Sequence, residues 1–431
     1  MRAHSRIRAL LAATTVTAAL TGLAACAPGS GSDDDVEQQD DGTLSYLYFT
    51  DGPDEQATRD LIAEYERQTG VKVDLEIVPF DSLEQRLQAR LSGGNPPDVA
   101  RLTNIEPFRG DLLNLSEFQG DALDDTFLDG ADPNVTGPDG ELLAVPSDLT
   151  MNGPLVNVEQ FEEAGVPLPS PDDPWTWDEM VEAAEEVQQA NDTQYAIAMD
   201  VSGHRFSTML SQYGTSFFNA DSTEVALDVD KATAAIERFA DLNASGAMPS
   251  DLWLQAGTRY EGANEIFLAE QVPVYLSGNW QVSAFDSDAP FDWQAVPNPC
   301  QEECGGFPGG KFMVSFEQSP RQEAAADFIA FMNSQATQEK LDQEANFLPT
   351  RKDLISSGVT YPTRDADMGV FLDDVERTPD AAYGTAFSPV FDVVADATVE
   401  ELSRVLAGEA SPREAAEAIR AAAEDALGDM Q

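Results

Sequence analysis

Basic residues, histidine and cysteine are all scarce in this chain of 431 residues. Lysine plus arginine number 24 against 78 aspartate plus glutamate, a formal net charge of −54, and lysine occupies only Lys72, Lys231, Lys311, Lys340 and Lys352. So acidic a surface repels phosphate backbones and anionic headgroups, which argues against nucleic acid as a partner and leaves no electrostatic hold on a membrane. Either the surface suits high or fluctuating salt, where counterions screen self-repulsion, or it reflects lineage bias. Histidine occurs only at His4 and His204, and HExxH, GxSxG, Walker and dinucleotide glycine patterns are missing. Nucleophilic, zinc-hydrolytic and nucleotide-dependent chemistry therefore lacks a motif, and no metal or cofactor is expected. Paired carboxylates carry no signal here, because with 78 acids some pair can always be imagined.

The one apolar run near the N-terminus, Ala9 to Ala25, follows Arg2, Arg6 and Arg8 and is too rich in alanine and threonine for a membrane span of about 20 strongly apolar residues. Residues 1–25 read as a secretory signal. Leu23, Ala24, Ala25 and Cys26 resemble a bacterial lipoprotein signal, which implies a lipidated Cys26 at the mature N-terminus. Residues 26–42 are rich in Gly, Ser, Asp and Gln and read as a flexible tether. Cys300 and Cys304, in "NPCQEECGG", suit a small loop-closing disulfide in an oxidising compartment; two thiolates without a histidine nearby would half fill a zinc site.

About 390 residues remain, enough for two or three domains. "LSYLYF" (44–49) reads as a buried strand. The next stretch places Ala57, Leu61, Ile62 and Tyr65 on one helical stripe closed by Gly70. Val71, Val73, Leu75 and Ile77 alternate as a strand; Leu83, Leu87 and Leu91 share a helix face; "PPDVARL" returns to strand. Strand, helix, strand, helix, strand with short links predicts a parallel sheet wound on both sides, with ligand beyond the carboxyl ends of its strands, at "TDG" (50–52) and "TN" (103–104). Leu142 to Val158 predicts a strand-like crossing broken at Pro146 and Gly153. Thr176 and Glu179 have capping-box spacing, and "DKATAAIERFADLNASG", "GTRYEGANEIFLAEQ", "RQEAAADFIAFMNS" and "SPREAAEAIRAAAEDAL" read as amphipathic helices.

Several segments together carry a family likeness: "SGGNPPDV" (92–99), "VPSDLTMNGPLVNVEQFEEAGV" with "TWDEM", "FLAEQVPVYLSGNW", "GGKFMVSFEQSPRQEAAADFIAFM", "LPTRKD" and "SPREAAEAI". In these the chain resembles the extracellular solute-binding proteins of bacterial ATP-binding-cassette importers, in the carbohydrate-binding family that includes the maltose-binding proteins. The resemblance implies an α/β, two-lobed, periplasmic-binding-protein-like (type II) fold with a hinge and an inter-lobe ligand cleft. On this reading residues 43–148 and 272–318 form one lobe, and 149–271 and 319–431 the other. It further implies a monomer without enzymatic activity, lipid-anchored at the extracellular face of the cell membrane, that captures a sugar or oligosaccharide and delivers it to a permease. A secreted glycoside hydrolase, and the same fold binding a non-sugar polar solute, are the alternatives.

A sugar needs planar polar groups for its hydroxyls and an aromatic face for its C–H patch. By resemblance Trp280, in "GNW", stands in the cleft or packs under the hinge, and Asp148, Thr150 and Asn152 fall on ligand-contacting positions. Asp51 and Asn104 follow strand ends. His204 serves as a sugar hydrogen-bonding group or a helix cap, Arg351 as a cleft residue or a surface ion pair, and Trp253 as a second platform. Trp175 and Trp177 pack the start of their helix. Leu155 and Val156 stand where many members carry an aromatic pair, and with the cysteine loop they are the departures expected to reshape the cleft.

Overall fold

The computed structural model describes residues 42–430 apart from 51–53, 121–125, 129–134, 138 and 257–261 and the side chain at 81. The signal, Cys26, most of the tether and Asp51 lie outside the described residues. The first two strands and their helix form as their patterns require. β1 (Leu44–Tyr48) leads into the helix Glu55–Thr69, which buries Ala57, Leu61, Ile62 and Tyr65. Gly70 ends that helix at φ 81°, a left-handed conformation that costs glycine least, and its N–H donates to the Glu66 carbonyl. β2 (Val73–Ile77) follows, then the helix Leu83–Ser92 with Leu83, Leu87 and Leu91 buried, then β3 (Val99–Leu102).

β1 pairs in parallel with β2 and β3, as predicted, but the sheet as a whole is mixed. The remaining strands are β4 (Ala144–Asn157), β5 (Ile197–Met199), β6 (Val274–Gly278), β7 (Trp293–Ala295) and β8 (Pro308–Ser315). Their order is β2-β1-β3-β8-β4-β6-β5, with β7 also on β4. β8 is antiparallel to both β3 and β4, and β4 is antiparallel to β6 and β7, so the centre departs from the parallel expectation; β5–β6 is again parallel.

β4 corrects a second expectation. Its 14 residues are buried throughout and run without a break through Pro146 and Gly153. Pro146 sits where the register against β8 shifts, a bulge that needs no N–H from it. Gly153 is small because an added Cβ would come within 2.8 Å of the Phe371 ring. One end of β4 pairs with β8 and the other with β6 and β7, so a single strand carries the chain across the sheet.

Helices cover the sheet. Trp177–Asn191 opens with the reciprocal Thr176–Glu179 cap, at 2.8 Å from the Thr176 N–H to Glu179 Oε2 and 3.2 Å from the Glu179 N–H to Thr176 Oγ1. Val229–Ser245, Gln322–Met332 and Pro412–Asp429 match their stripes, whereas in 257–271 the described helix is only Ala263–Leu268. Phe328 shows how tightly the core locks: its ring meets Tyr46 at 5.4 Å and Tyr65 at 5.0 Å, edge-on to both. Trp177 is buried with Nε1 donating to Gln212 Oε1 at 2.7 Å, and Trp175 stacks on Phe161.

Cys300 and Cys304 are joined as a disulfide. Backbone N–H groups of Glu302 and Glu303 in that loop donate to the Gln212 carbonyl at 2.9 and 3.1 Å. No described helix is long and apolar enough to cross a membrane.

Candidate ligand-binding cavity

The strand ends converge on a cavity of about 860 Å³, within the roughly 300–1,000 Å³ typical of small-molecule sites. One wall carries Phe49 and Thr50 after β1, Phe80 after β2, and Thr103 and Asn104 after β3. The other carries Ser202 to Arg205 after β5, Trp280 after β6, and a face of the helix Phe391–Leu406; Gly309 to Lys311 of β8 line it too. Carboxyl ends of parallel strands thus open onto ligand space from both walls. Asn104 Nδ2 donates to Asp392 Oδ2 at 2.8 Å, joining the two walls.

A buried ion cluster braces the floor. Arg101 donates to both oxygens of Asp148 (Nη2 at 2.9 and 3.0 Å, Nε at 3.2 Å) and to the Phe49 carbonyl at 3.0 Å. Lys311 Nζ lies 3.7 Å from the same carboxylate. Arg101 and Asp148 are 2% and 1% exposed, so removing either leaves a buried charge that has lost its principal partner, at about 3–5 kcal/mol. The guanidinium also lies 4.6 Å from the Phe49 ring centre, fixing the residue where β1 meets the cavity.

His204 is held as a neutral ring. Its Nε2 faces the Pro308 carbonyl at 2.9 Å, and a carbonyl only accepts, so Nε2 carries the proton. Nδ1 is then the acceptor for Arg205 Nη1 at 2.8 Å and lies 3.1 Å from Asn152 Nδ2. Burial, and then the Arg205 charge, hold its pKa well below the ordinary histidine value. Trp280 is shaped by an absence: a Cβ on Gly278 would lie 2.0 and 2.1 Å from Cζ3 and Cη2 of its ring.

A profile of the bacterial extracellular solute-binding proteins matches residues 60–367. The chain belongs to that family. As a solute-binding protein it is not an enzyme, which sets aside the hydrolase alternative. It is 23% identical to the diacetylchitobiose binding protein DasA of Streptomyces coelicolor over 81% of this chain and 84% of that protein. It is 27% identical to the arabinooligosaccharide-binding protein of Halalkalibacterium halodurans over 68% of each. The solved GacH receptor of Streptomyces glaucescens GLA.O superposes with a TM-score of 0.73 at 22% identity, covering 90% of this chain and 99% of that one. The fold is therefore the periplasmic-binding-protein-like α/β fold expected.

In this solute-binding protein the residues singled out from sequence separate into two groups. Asn104, Thr150, His204 and Trp280 line the cavity, as do Thr50 and Thr103 from the expected rim. Asp148, Asn152, Trp253 and Arg351 do not. Asp148 is consumed by Arg101 and Lys311. Asn152 is buried, with Nδ2 donating to Thr208 Oγ1 at 2.8 Å and to the His204 carbonyl at 3.1 Å, and Oδ1 accepting from Arg205 at 2.8 Å. Trp253 is a core residue packed edge-on to Phe239 at 4.8 Å. Arg351 takes the ion-pair alternative, bonding Asp353 at 2.8 and 3.0 Å. The two departures also lie off the wall: Leu155 and Val156 are buried in β4, and the cysteine loop rests on Gln212.

Phe49, Phe80, Arg205, Lys311, Phe391 and Asp392 are wall residues that sequence reasoning did not single out. Phe80 was within reach of the strand-end rule, since it follows β2 as Asn104 follows β3. Phe391 and Asp392 carried no local signal, because their helix reaches the cavity through long-range packing alone.

Proposed function

We propose that this protein captures a sugar or oligosaccharide in the cavity and hands it to the permease of an ATP-binding-cassette importer. The carrying observation is the wall chemistry: Phe80, Trp280 and Phe391 offer aromatic faces, while Thr50, Thr103, Asn104 and Ser388 supply short hydroxyl and amide groups around them. That pairing suits a ring with one C–H face and a belt of hydroxyls. Relatives named for diacetylchitobiose and arabinooligosaccharides, and the acarbose complex of the GacH receptor, support the same ligand class.

The β1–β3 side serves as one lobe and the side of β5, β6 and the helix Phe391–Leu406 as the other, closing on the ligand by hinge bending; the pairing of β6 with β5 moves Trp280 out of the 43–148 and 272–318 lobe expected from sequence. The chain acts as a monomer, fixed to the extracellular face of the membrane by lipidated Cys26, with Ala27 to Gly42 as its tether. Calorimetric titration with diacetylchitobiose, arabinotriose, maltotriose and acarbose tests the ligand class. Saturable heat with at least one of them, weakened about tenfold or more by Trp280→Ala, is expected. No heat and no rise in melting temperature with any of the four would remove the sugar reading.

A further inference from the structure

Trp280 sits in a three-residue turn, Asn279–Gln281, between β6 and the helix Val282–Asp288, with its ring edge against the Gly278 backbone. The Arg205 guanidinium lies 4.0 Å from the centre of that ring, close enough for a strong cation–π contact. Arg205 is itself tied down. Nε donates to Asp200 Oδ2 at 3.3 Å and Nη1 to Asn152 Oδ1 at 2.8 Å. Asp200 in turn accepts from the Tyr275 hydroxyl at 2.7 Å and from Ser277 Oγ at 3.1 Å, both on β6, the strand that leads into Trp280.

Arg205 Nη1 also donates to His204 Nδ1 at 2.8 Å, and Arg205 and His204 both line the large cavity, whereas Asp200 and Asn152 do not. Asn152 instead faces a separate space of about 20 Å³, room for about one water, which Arg205 also lines. Arg205 thus lies between the two spaces, its guanidinium stacked on one face of the Trp280 ring. From this geometry we infer that Arg205 is a positioning residue: stacked on one face of Trp280 and held by its own hydrogen bonds, it fixes the indole in one orientation within the cavity wall. This rests on reading the cavity as a sugar site. A ring already held costs a ligand less ordering entropy than one that must be immobilised on binding. Arginine suits the task where lysine does not, because one planar fork both stacks on the indole and bonds two anchors.

The test uses the full chain labelled with 5-fluorotryptophan. Of its five tryptophan lines, the one lost in Trp280→Phe belongs to Trp280. Arg205→Met is expected to move the Trp280 line, to leave the other four in place, and to weaken the tightest sugar of the panel about tenfold, with Arg205→Lys recovering only part. If Arg205→Met fails to fold, Asp200→Asn releases the same brace and is read in the same way. A Trp280 line unmoved in these variants overturns the inference, as does a moved line with unaltered sugar affinity. A moved line in a chain that binds no sugar sinks the functional reading while the brace stands.

Discussion

Asn104 and Asp392 lie 288 positions apart in the chain and meet at 2.8 Å across the cavity, one after β3 and the other in the first turn of the helix Phe391–Leu406. Asn104 is itself aimed, its Oδ1 accepting from the Glu106 N–H at 2.9 Å. Desolvation raises the Asp392 pKa and the Asn104 donation opposes that, at a side chain that stays exposed at the cavity mouth. Losing a bond worth about 1 kcal/mol shifts an equilibrium about fivefold. Asn104→Ala should therefore move the unliganded chain toward wider separation of the walls. Energy transfer between dyes at the exposed Gln68 and Glu417 would show it, and an unchanged distance distribution would deny the bond any part in closure.

Gly278→Ala should cost about 1–3 kcal/mol in urea unfolding, because its methyl overlaps the Trp280 ring. In a Trp280→Ala background the cost should shrink without vanishing, since the Met151 carbonyl also lies 2.6 Å from the added carbon. Equal costs in both backgrounds would mean the ring is not what excludes a side chain there.

Asp374 gives a pH signature. It is buried and accepts from Asn298 Nδ2 at 2.7 Å, yet burial outweighs these bonds and raises its pKa to about 6. The unfolded chain titrates near 3.8, so between about pH 4 and 6 the folded form holds the extra proton and stability falls as pH rises. Asp374→Asn should flatten that segment of the stability profile. An unaltered slope in urea titrations across the window would place the proton elsewhere.

Asp342 is buried, and neither carboxylate oxygen has a hydrogen-bond partner. Burial first, then the Asp148 and Glu339 charges, push its pKa well above the ordinary carboxylate value. Folding thus retains a proton that the unfolded chain releases above about pH 4, and the penalty grows as pH rises toward the folded pKa. Asp342→Asn should raise the urea unfolding midpoint at neutral pH, with little gain at pH 4. Equal unfolding midpoints at pH 7 would contradict it.

With 78 acidic against 24 basic residues, added salt should raise the melting temperature by screening self-repulsion. Melts from about 0.05 to 1 M sodium chloride test this, and a flat series would leave the composition as lineage bias.

Sequence patterns were most legible where local physics decides alone. The stripe ending at Gly70 and the Thr176–Glu179 cap need only neighbours within a few residues, and both formed as read. Pro146 and Gly153 misled because each looks like a breaker locally; a register shift and a close Phe371 ring absorb them inside β4. The family resemblance sets Asp148 on a ligand-contacting position, but its carboxylate is taken up by Arg101, 47 residues upstream, and Lys311, far downstream. Partnerships of that range leave no trace in spacing. The aromatic half of the cavity was half visible: Trp280 through its motif, Phe391 not at all.

The uninterrupted run of β4 also limits how this protein can be re-engineered. Its residues zip to β8 at one end and to β6 and β7 at the other, so a break within 144–157 would strip ladder partners from both sides of the sheet together. New termini for a circular permutant, or the cut of a two-fragment biosensor, belong outside that stretch.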